Sequence, residues 1–527
     1  MTTELTLDEA AYFIYFAQLT GIVGSGFLAQ SIGQLFDDTS KVVWLGSVIN
    51  ILTLALTPPI SQAADLWGRK WFLVVSAIFG FAGCMIVSRA ETMGTVIVGY
   101  TILGIGYGCQ SLLLAVISEV LPRKHRSFAQ AGASCFGGLG GILGLLMGGA
   151  LVKNANLENF RIYFYVNAAI FLSASIIFII LYNPPPRELQ RTLSWPEKFS
   201  NLDWIGYMFL TPGLTLLSVG LAWSYNPYRW SNAHVLIPFI LGIIFVAVFA
   251  VYESRLKKDG MLHHDLFRHR NFPIGVVTIF IEGFIFFSCN NYYTFEVALF
   301  AHSDALIVGL HFSIVFWVSL LAAAAVGFYS SWKRVVRVPM IGGFVFLLIF
   351  NILMATSTNN TSGGAFWGYT VLAGAGLGTI LPVVVTAAQL STTAEHIALS
   401  SGLVVASRAA GAVFSLAINN AIFNSALFQL GPKIAAASVP LGLPPSSLGS
   451  LITGLASGNQ AALQHTKGLT PQIMKAALEA FYSVYNLAFR NVWICATCLA
   501  CAAVVGKNFD FFLISSPAMN FGSKILM

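Results

Sequence analysis

The chain alternates long apolar stretches with short polar turns over almost its whole length. A bilayer core takes about 20 apolar helical residues to cross. Backbone polar groups there have no water to bond, so each long stretch predicts a spanning helix. Fourteen such stretches occur. Six lie at about 10–32, 41–63, 71–90, 94–118, 128–152 and 161–183. Two more fall at about 203–223 and 234–253. The last six lie at about 272–299, 306–330, 336–356, 364–390, 397–425 and 489–506.

The interruptions organise these helices. A proline-rich linker, Asn183-Pro184-Pro185-Pro186-Arg187, follows the sixth stretch and runs on to Asn201. It separates an N-terminal six-helix half (1–183) from a connecting region with two inserted helices (184–270). A C-terminal six-helix half (271–527) follows. Within it, residues 427–488 are rich in Gly, Pro, Ser and Ala, which predicts a folded extramembrane loop. A short amphipathic helix is expected in that loop around Pro471–Ala488.

Composition assigns the same class. The chain is 57% apolar and 9% charged, against about 25% charged in soluble domains. A soluble enzyme with a polar exterior is excluded on that ground, and the fold class is an all-α polytopic membrane protein. The net charge of +7 reflects short basic clusters between apolar runs and not a nucleic-acid-binding face. They recur in every second loop: Arg69 and Lys70; Arg123, Lys124 and Arg126; Arg187, Arg191 and Lys198. The series continues with Arg255, Lys257, Lys258, Arg268 and Arg270, then Lys333, Arg334 and Arg337. The positive-inside rule places these loops in the cytoplasm, and an even helix count puts both termini there. The overlapping sequons at Asn359 and Asn360 then fall outside, as candidate glycosylation sites. Glu4, Asp8 and Glu9 occupy the place of a basic n-region, so no cleaved signal peptide is expected.

Other motifs carry less. The seven cysteines lie mostly in apolar runs and are expected to be reduced thiols packed between helices. Cys495, Cys498 and Cys501 have metal-like spacing but sit on one apolar helix with no second pair, so no metal is expected. His263, His264 and His269, with Asp265, read as a solvated linker. No Walker sequence, nucleophile elbow or zinc-protease helix occurs, and no cofactor is implied.

The most specific cluster is Asp65-Leu66-Trp67-Gly68-Arg69-Lys70, an acid at a helix end followed by glycine and a basic pair. It forms a tight two-helix turn in which the acid can pair with a base. It resembles the loop signature of the major facilitator superfamily, with Ser61 where the family has glycine. Glu119, Pro122 and Arg126 resemble the family's partner segment after the fourth helix. The resemblance implies that Asp65, Gly68, Arg69, Lys70, Glu119 and Arg126 form a cytoplasmic latch between two halves. The glycine run with Gly140, Gly144, Gly148 and Gly149 allows close helix packing. It resembles the fifth-helix antiporter signature, with Leu145 at the usual proline. Val98 to Gly106 resembles the fourth-helix motif, with Tyr100 at the usual buried arginine. Phe160 to Asn167, Leu202 to Gly206, and Ser401-Gly402-Leu403 with Arg408 and Gly411 resemble the fourteen-helix drug:proton antiporter branch. Fungal trichothecene-type efflux pumps and siderophore transporters are the nearest in pattern.

Ionisable residues inside a membrane are costly and point to function. Glu282, in the ninth stretch, and Arg408, in the thirteenth, are the coupling candidates. A carboxyl taken out of water is suited to carrying protons. The alternative is a structural pair. Glu296, nearer the outer end of the ninth stretch, is a further candidate. Asn290, Asn291, Tyr292 and Tyr293 are candidate cargo-cavity residues, because adjacent amides at membrane depth invite a broken helix. An interfacial tyrosine belt is the competing account. Gln389, Asn419 and Asn420 read as polar glue between helices.

These observations predict a secondary transporter and no enzymatic activity. The expected function is proton-coupled efflux of a small, largely apolar compound such as a fungal secondary metabolite or toxin. Ferric siderophore uptake is the alternative, and a non-transporting membrane receptor the alternative of another class. The expected partners are the cargo, protons and the lipid bilayer, with no nucleic acid, for a monomer in the plasma membrane or a vacuolar or vesicular one.

Overall fold

The computed structural model describes residues 2–508, except 39–40, 121–124, 153–155, 184–191, 193, 201, 225–227, 258–265, 268–270, 302–304, 393–396, 458–462 and 464–465. Fourteen helical spans are long and apolar enough to cross a membrane. The first six are α1 (Ala11–Leu35), α2 (Trp44–Trp67), α3 (Lys70–Ser88), α4 (Met93–Ser118), α5 (Arg126–Leu151) and α6 (Leu157–Leu181). The inserted pair is α7 (Trp204–Trp223) and α8 (Ala233–Leu256). The last six are α9 (Asn271–Phe300), α10 (Leu306–Lys333), α11 (Arg337–Thr356), α12 (Gly363–Leu390), α13 (Ile397–Leu441) and α14 (Pro471–Val505). No β-strand occurs among the described residues, apart from an isolated bridge between Ser224 and Tyr228. The face carrying the basic turns is called inner below, and the opposite face outer.

Three elements differ from the sequence reading. The expected amphipathic helix and the last span are one helix, Pro471–Asn508, of 38 residues. At 1.5 Å per residue it is about 57 Å long, so roughly half stands outside an approximately 30 Å core. Lys475, Glu479 and Arg490 interrupt its hydropathy but not its packing. Ile473, Ala477, Phe481, Val484, Ala488, Val492 and Ala496 form one buried stripe at helical spacing. Second, α4 is two helices, Met93–Tyr107 and Gln110–Val120, joined at Gly108 and Cys109. Third, the amide-rich segment of α9 does not break. It becomes a π-helical turn, Cys289–Tyr293, between Asn271–Ser288 and Thr294–Phe300. Such a turn keeps the backbone bonded while adding one residue to the ladder, and is common at functional sites. The loop before α14 is folded, with short helices at Leu430–Ser438 and Leu448–Ser457.

Two six-helix bundles meet along two seams, α5 against α10 and α2 against α13. Within the N-terminal half, where α5 packs on α1, glycine is required. A Cβ on Gly140 would stand 2.3 Å from the Phe16 carbonyl oxygen, and one on Gly144 2.9 Å from that of Thr20. Both therefore let α1 and α5 touch backbone to backbone. Gly148 faces Phe27 and Leu28, and Gly149 is buried beside it. Leu145 occupies the family's proline position, and α5 runs unbroken.

Lipid exposure follows from this arrangement. In the apolar core of α4, 83% of residues are buried, against 22% in α8. The inserted α7 packs on α2 and α13, with Leu217 and Leu221 against Ala417 and Trp223 edge-on to Trp44. α8 turns Ile237, Ile240, Ile244 and Val248 outward. All seven cysteines are free; Cys84, Cys109 and Cys289 are buried, whereas Cys498 and Cys501 are exposed, not packed between helices.

Candidate functional site

Between the halves, Glu282 of α9 and Arg408 of α13 meet in a two-pronged ion pair. Arg408 Nε donates to Glu282 Oε2 at 2.7 Å and Nη2 to Oε1 at 3.0 Å. The two residues are brought together by close helix crossing. A Cβ on Gly283 would lie 2.3 Å from the Arg408 carbonyl oxygen, and one on Gly411 2.1 Å from that of Phe280. The guanidinium also lies 4.9 Å from the centre of the Phe286 ring. Paired ionic and cation–π contacts of this kind hold a charge at membrane depth.

The pair borders two small cavities, of about 40 and 20 Å³. Tyr15, Leu19, Ser134, Phe286, Phe316 and Ser319 line the larger, and Asn50, Thr53 and Gln110 contribute to the smaller. A site for a drug-sized molecule occupies about 300–1,000 Å³. The space beside the pair is therefore too small for such a molecule in this conformation and has room for about two waters.

Both ends of the cavity are shut. On the inner side, Gln389 of α12 is fully buried and bridges the halves. Its Nε2 donates to Ser401 Oγ of α13 at 2.9 Å and to the Leu114 carbonyl of α4 at 3.3 Å. Its Oε1 accepts from Ser118 Oγ at 2.5 Å. Arg126 adds Nε to the Ser118 carbonyl at 3.2 Å and Nη1 to the Gln389 carbonyl at 3.5 Å. Ser61 joins Ser111 at 2.7 Å and fills the space a side chain at Gly402 would need. On the outer side, Asn290 Nδ2 lies 2.8 Å from the position of a Cβ on Gly26 of α1.

The other candidate latch residues sit at the same inner face. Arg69 donates to Asp65 at 3.3 Å across Gly68, whose φ of 91° suits glycine. Lys70 ties the start of α3 to the end of α6 through the Ile179 carbonyl and the Asn183 side chain. Glu119 belongs to helix Gln110–Val120, but its side chain lies outside the described residues, as do Pro122, Arg123, Lys124, His263, His264, Asp265 and His269.

The proposed cavity residues divide. Asn290 faces α1, whereas Asn291 bonds its own helix at Phe287. Tyr292 packs on Phe423, and Tyr293 donates to the Phe366 carbonyl inside the C-terminal half. In the N-terminal half, Tyr100, Tyr107 and Tyr163 donate their hydroxyls to the α1 carbonyls of Ser25, Gln18 and Thr20. Tyr100 stands where the resembling family places a buried arginine. Asn359 and Asn486 exchange hydrogen bonds on the outer side, and Asn360 is exposed beside them.

Sequence reading ranked Gln389 as helix glue and passed over Ser118, Tyr15 and Phe316. A buried amide among serines carries no local signal of which helix it will bridge.

The Major Facilitator Superfamily profile matches residues 11–416. Similar proteins include the MFS-type transporter gkaD of Penicillium citrinum, 26% identical over 75% of this chain and 67% of its own length. The MFS-type efflux pump MFS1 of Arthroderma benhamiae is 24% identical over 90% of this chain and 84% of its own. Among solved structures, a bacterial homologue of the human lysosomal transporter Spinster, inward-facing and unoccupied, superposes with a TM-score of 0.60. It is 14% identical, covering 95% of this chain and 97% of that one. The human organic anion transporter MFSD10 gives 0.56 at 11% identity, over 94% and 99%. The profile match spans most of the chain, and the helical halves, their two seams and the inner turn agree with it: the chain is a multi-pass membrane protein that belongs to the major facilitator superfamily.

Proposed function

We propose that this transporter exports a small, largely apolar compound in exchange for protons. The observation that carries the reading is the Glu282–Arg408 pair at the edge of a closed inter-half cavity. A proton on Glu282 would neutralise the carboxylate and free Arg408, and both helices of the pair line the route that cargo must take. The pair lies within the C-terminal half and faces Tyr15 and Leu19 of the N-terminal half across the cavity, so its protonation would alter the surface on which the halves meet.

Cargo chemistry follows from the lining. Tyr15, Leu19, Phe286, Phe316, Leu377 and Leu381 surround a charge pair that is already satisfied. Flat, uncharged, apolar molecules can stack there. A polar ferric chelate would find few uncharged polar partners, Ser134, Ser319, Asn50, Thr53 and Gln110 among them, and each of its groups left unpaired would cost about 1–3 kcal/mol. Relatives named as fungal efflux pumps support the outward direction. The proposed setting is the plasma membrane, with the protein working as a monomer by alternating access.

The test is flux in proteoliposomes under an imposed proton gradient, with a panel of uncharged aromatic metabolites. Wild type is expected to concentrate at least one compound against its gradient, and Glu282→Gln to lose gradient-driven accumulation while retaining downhill exchange. Equal accumulation by both proteins would remove Glu282 from the coupling step. Binding without any flux would favour a receptor.

A further inference from the structure

A second buried carboxyl lies near the outer end of α9, outside both inter-half cavities and apart from the Glu282–Arg408 pair. Glu296 is fully enclosed. Trp493 of α14 donates its indole Nε1 to Glu296 Oε2 at 2.7 Å, and Ser357 at the end of α11 meets Oε1. Among the described residues no cation pairs with it. Tyr293, one turn earlier on α9, has its hydroxyl on the Phe366 carbonyl. On α10, which packs beside this segment, His311 lies against the Trp367 ring. α11 and α14 bring only neutral groups to the carboxyl itself. A bare carboxylate here would be an isolated buried charge, which proteins avoid.

The hydrogen count is more specific than burial. Ser357 Oγ touches Glu296 and also lies 2.6 Å from the Met354 carbonyl. A serine hydroxyl has one proton to give, and a carbonyl has none. With an ionised Glu296, the hydroxyl serves one acceptor and faces the other oxygen to oxygen. With a proton on Glu296 every contact is satisfied. The carboxyl O–H donates to Ser357 Oγ, Ser357 donates to Met354, and Trp493 donates to the remaining carboxyl oxygen.

We propose that Glu296 is a proton-binding site that exchanges with the outer face through Ser357. Ser357 also lines an open outer cleft of about 710 Å³ with Thr358, Lys433, Ser483, Asn486 and Arg490. Ser357 is thus the residue that meets the carboxyl and also borders the cleft. When the proton leaves, the charge left behind has to be hydrated, and the junction of α9, α11 and α14 loosens toward that cleft. Lys433 and Arg490 are placed to stabilise the exposed carboxylate. Glu296 lies 14 residues beyond Glu282 on the same helix, about 21 Å away, with the π-helical turn between them. The site requires neither a particular cargo direction nor proton carriage by Glu282.

Infrared difference spectroscopy on the full chain in lipid nanodiscs, stepped through pH, tests this. The expected signal is the carbonyl stretch of a neutral carboxylic acid that disappears as pH rises. It should be absent in Glu296→Gln, retained in Glu282→Gln, and shifted in Ser357→Ala and Trp493→Phe. Glutamine can donate to Ser357 and accept from Trp493, so the first variant should fold. A wild-type spectrum without such a band, or a band intact in Glu296→Gln, overturns the assignment. So does a band unmoved in both Ser357→Ala and Trp493→Phe. A band lost in Glu282→Gln alone refutes this site while leaving proton-driven export standing.

Discussion

Replacing Arg408 with leucine removes one half of a buried ion pair and leaves the other half in place. Glu282 then loses both its 2.7 Å and 3.0 Å partners. Its side chain is 1% exposed, so bulk water does not replace them and the adjoining cavity offers at most about two waters, whereas Arg408 is 16% exposed and keeps some access. Stranding one member of a buried pair costs about 3–5 kcal/mol, and the enclosed carboxylate puts Arg408→Leu within that range. Glu282→Gln strands the better-hydrated partner and should cost less, about 3 kcal/mol or below. The double variant leaves no charge behind, only a buried amide that has lost its partner, and is expected about 1–3 kcal/mol below wild type. The double-mutant cycle should therefore show strong non-additivity. Unfolding in mixed micelles, followed by far-ultraviolet circular dichroism as the denaturing detergent fraction rises, measures each stability. Equal stability of Arg408→Leu and wild type, or simple additivity in the double variant, would refute the argument that this pair is a mutually dependent buried contact.

Other perturbations test the seams and the inner face. Gln389→Leu strands Ser401 at about 1–3 kcal/mol, while Ser118 keeps Gln130 at 2.6 Å; in a Ser401→Cys background it should speed thiol labelling from the inner face. Gly140→Val drives a side chain into the Phe16 carbonyl at 2.3 Å, so folded yield should collapse. Gly148→Ala, whose nearest neighbour is the movable Phe27 ring at 3.3 Å, should give nearly normal yield by size-exclusion chromatography. Asp203, just ahead of α7, is buried, which alone would raise its pKa. Hydrogen bonds with Glu253, the Gly206 N–H and Tyr252, with the attraction of Lys257, outweigh burial and hold the pKa below its ordinary value. A lowered folded-state value means the stabilisation is present above about pH 3.9 and lost as pH falls further. Melting curves should show that acid loss in wild type and not in Asp203→Asn.

The helices were legible because the bilayer requirement is local. Twenty apolar residues in sequence are enough to identify a span, whatever packs beside it. Where packing competes with hydropathy, the reading failed. Lys475, Glu479 and Arg490 made the start of α14 look separate, although its buried stripe runs unbroken from Ile473 to Ala496. At Asn290 and Asn291 polarity suggested a broken helix. The chain instead keeps its backbone bonded through a π-helical turn and uses the two amides differently, one toward α1 and one on its own helix.

The sequence alone determined the class, the number of spans, the alternation of basic loops and the identity of the few ionisable residues at membrane depth. Each of these rests on composition or short-range spacing. Tertiary structure decided which of those residues meet. Glu282 and Arg408 are 126 positions apart, and Ser118 and Gln389 are 271 apart. Glu296 finds its donors 61 and 197 positions away. A polar side chain inside a membrane protein must find a partner, but the need carries no address. The address comes from how helices cross, and that is set by glycine contacts such as Gly283 on Arg408 and Gly140 on Phe16, which no single span encodes.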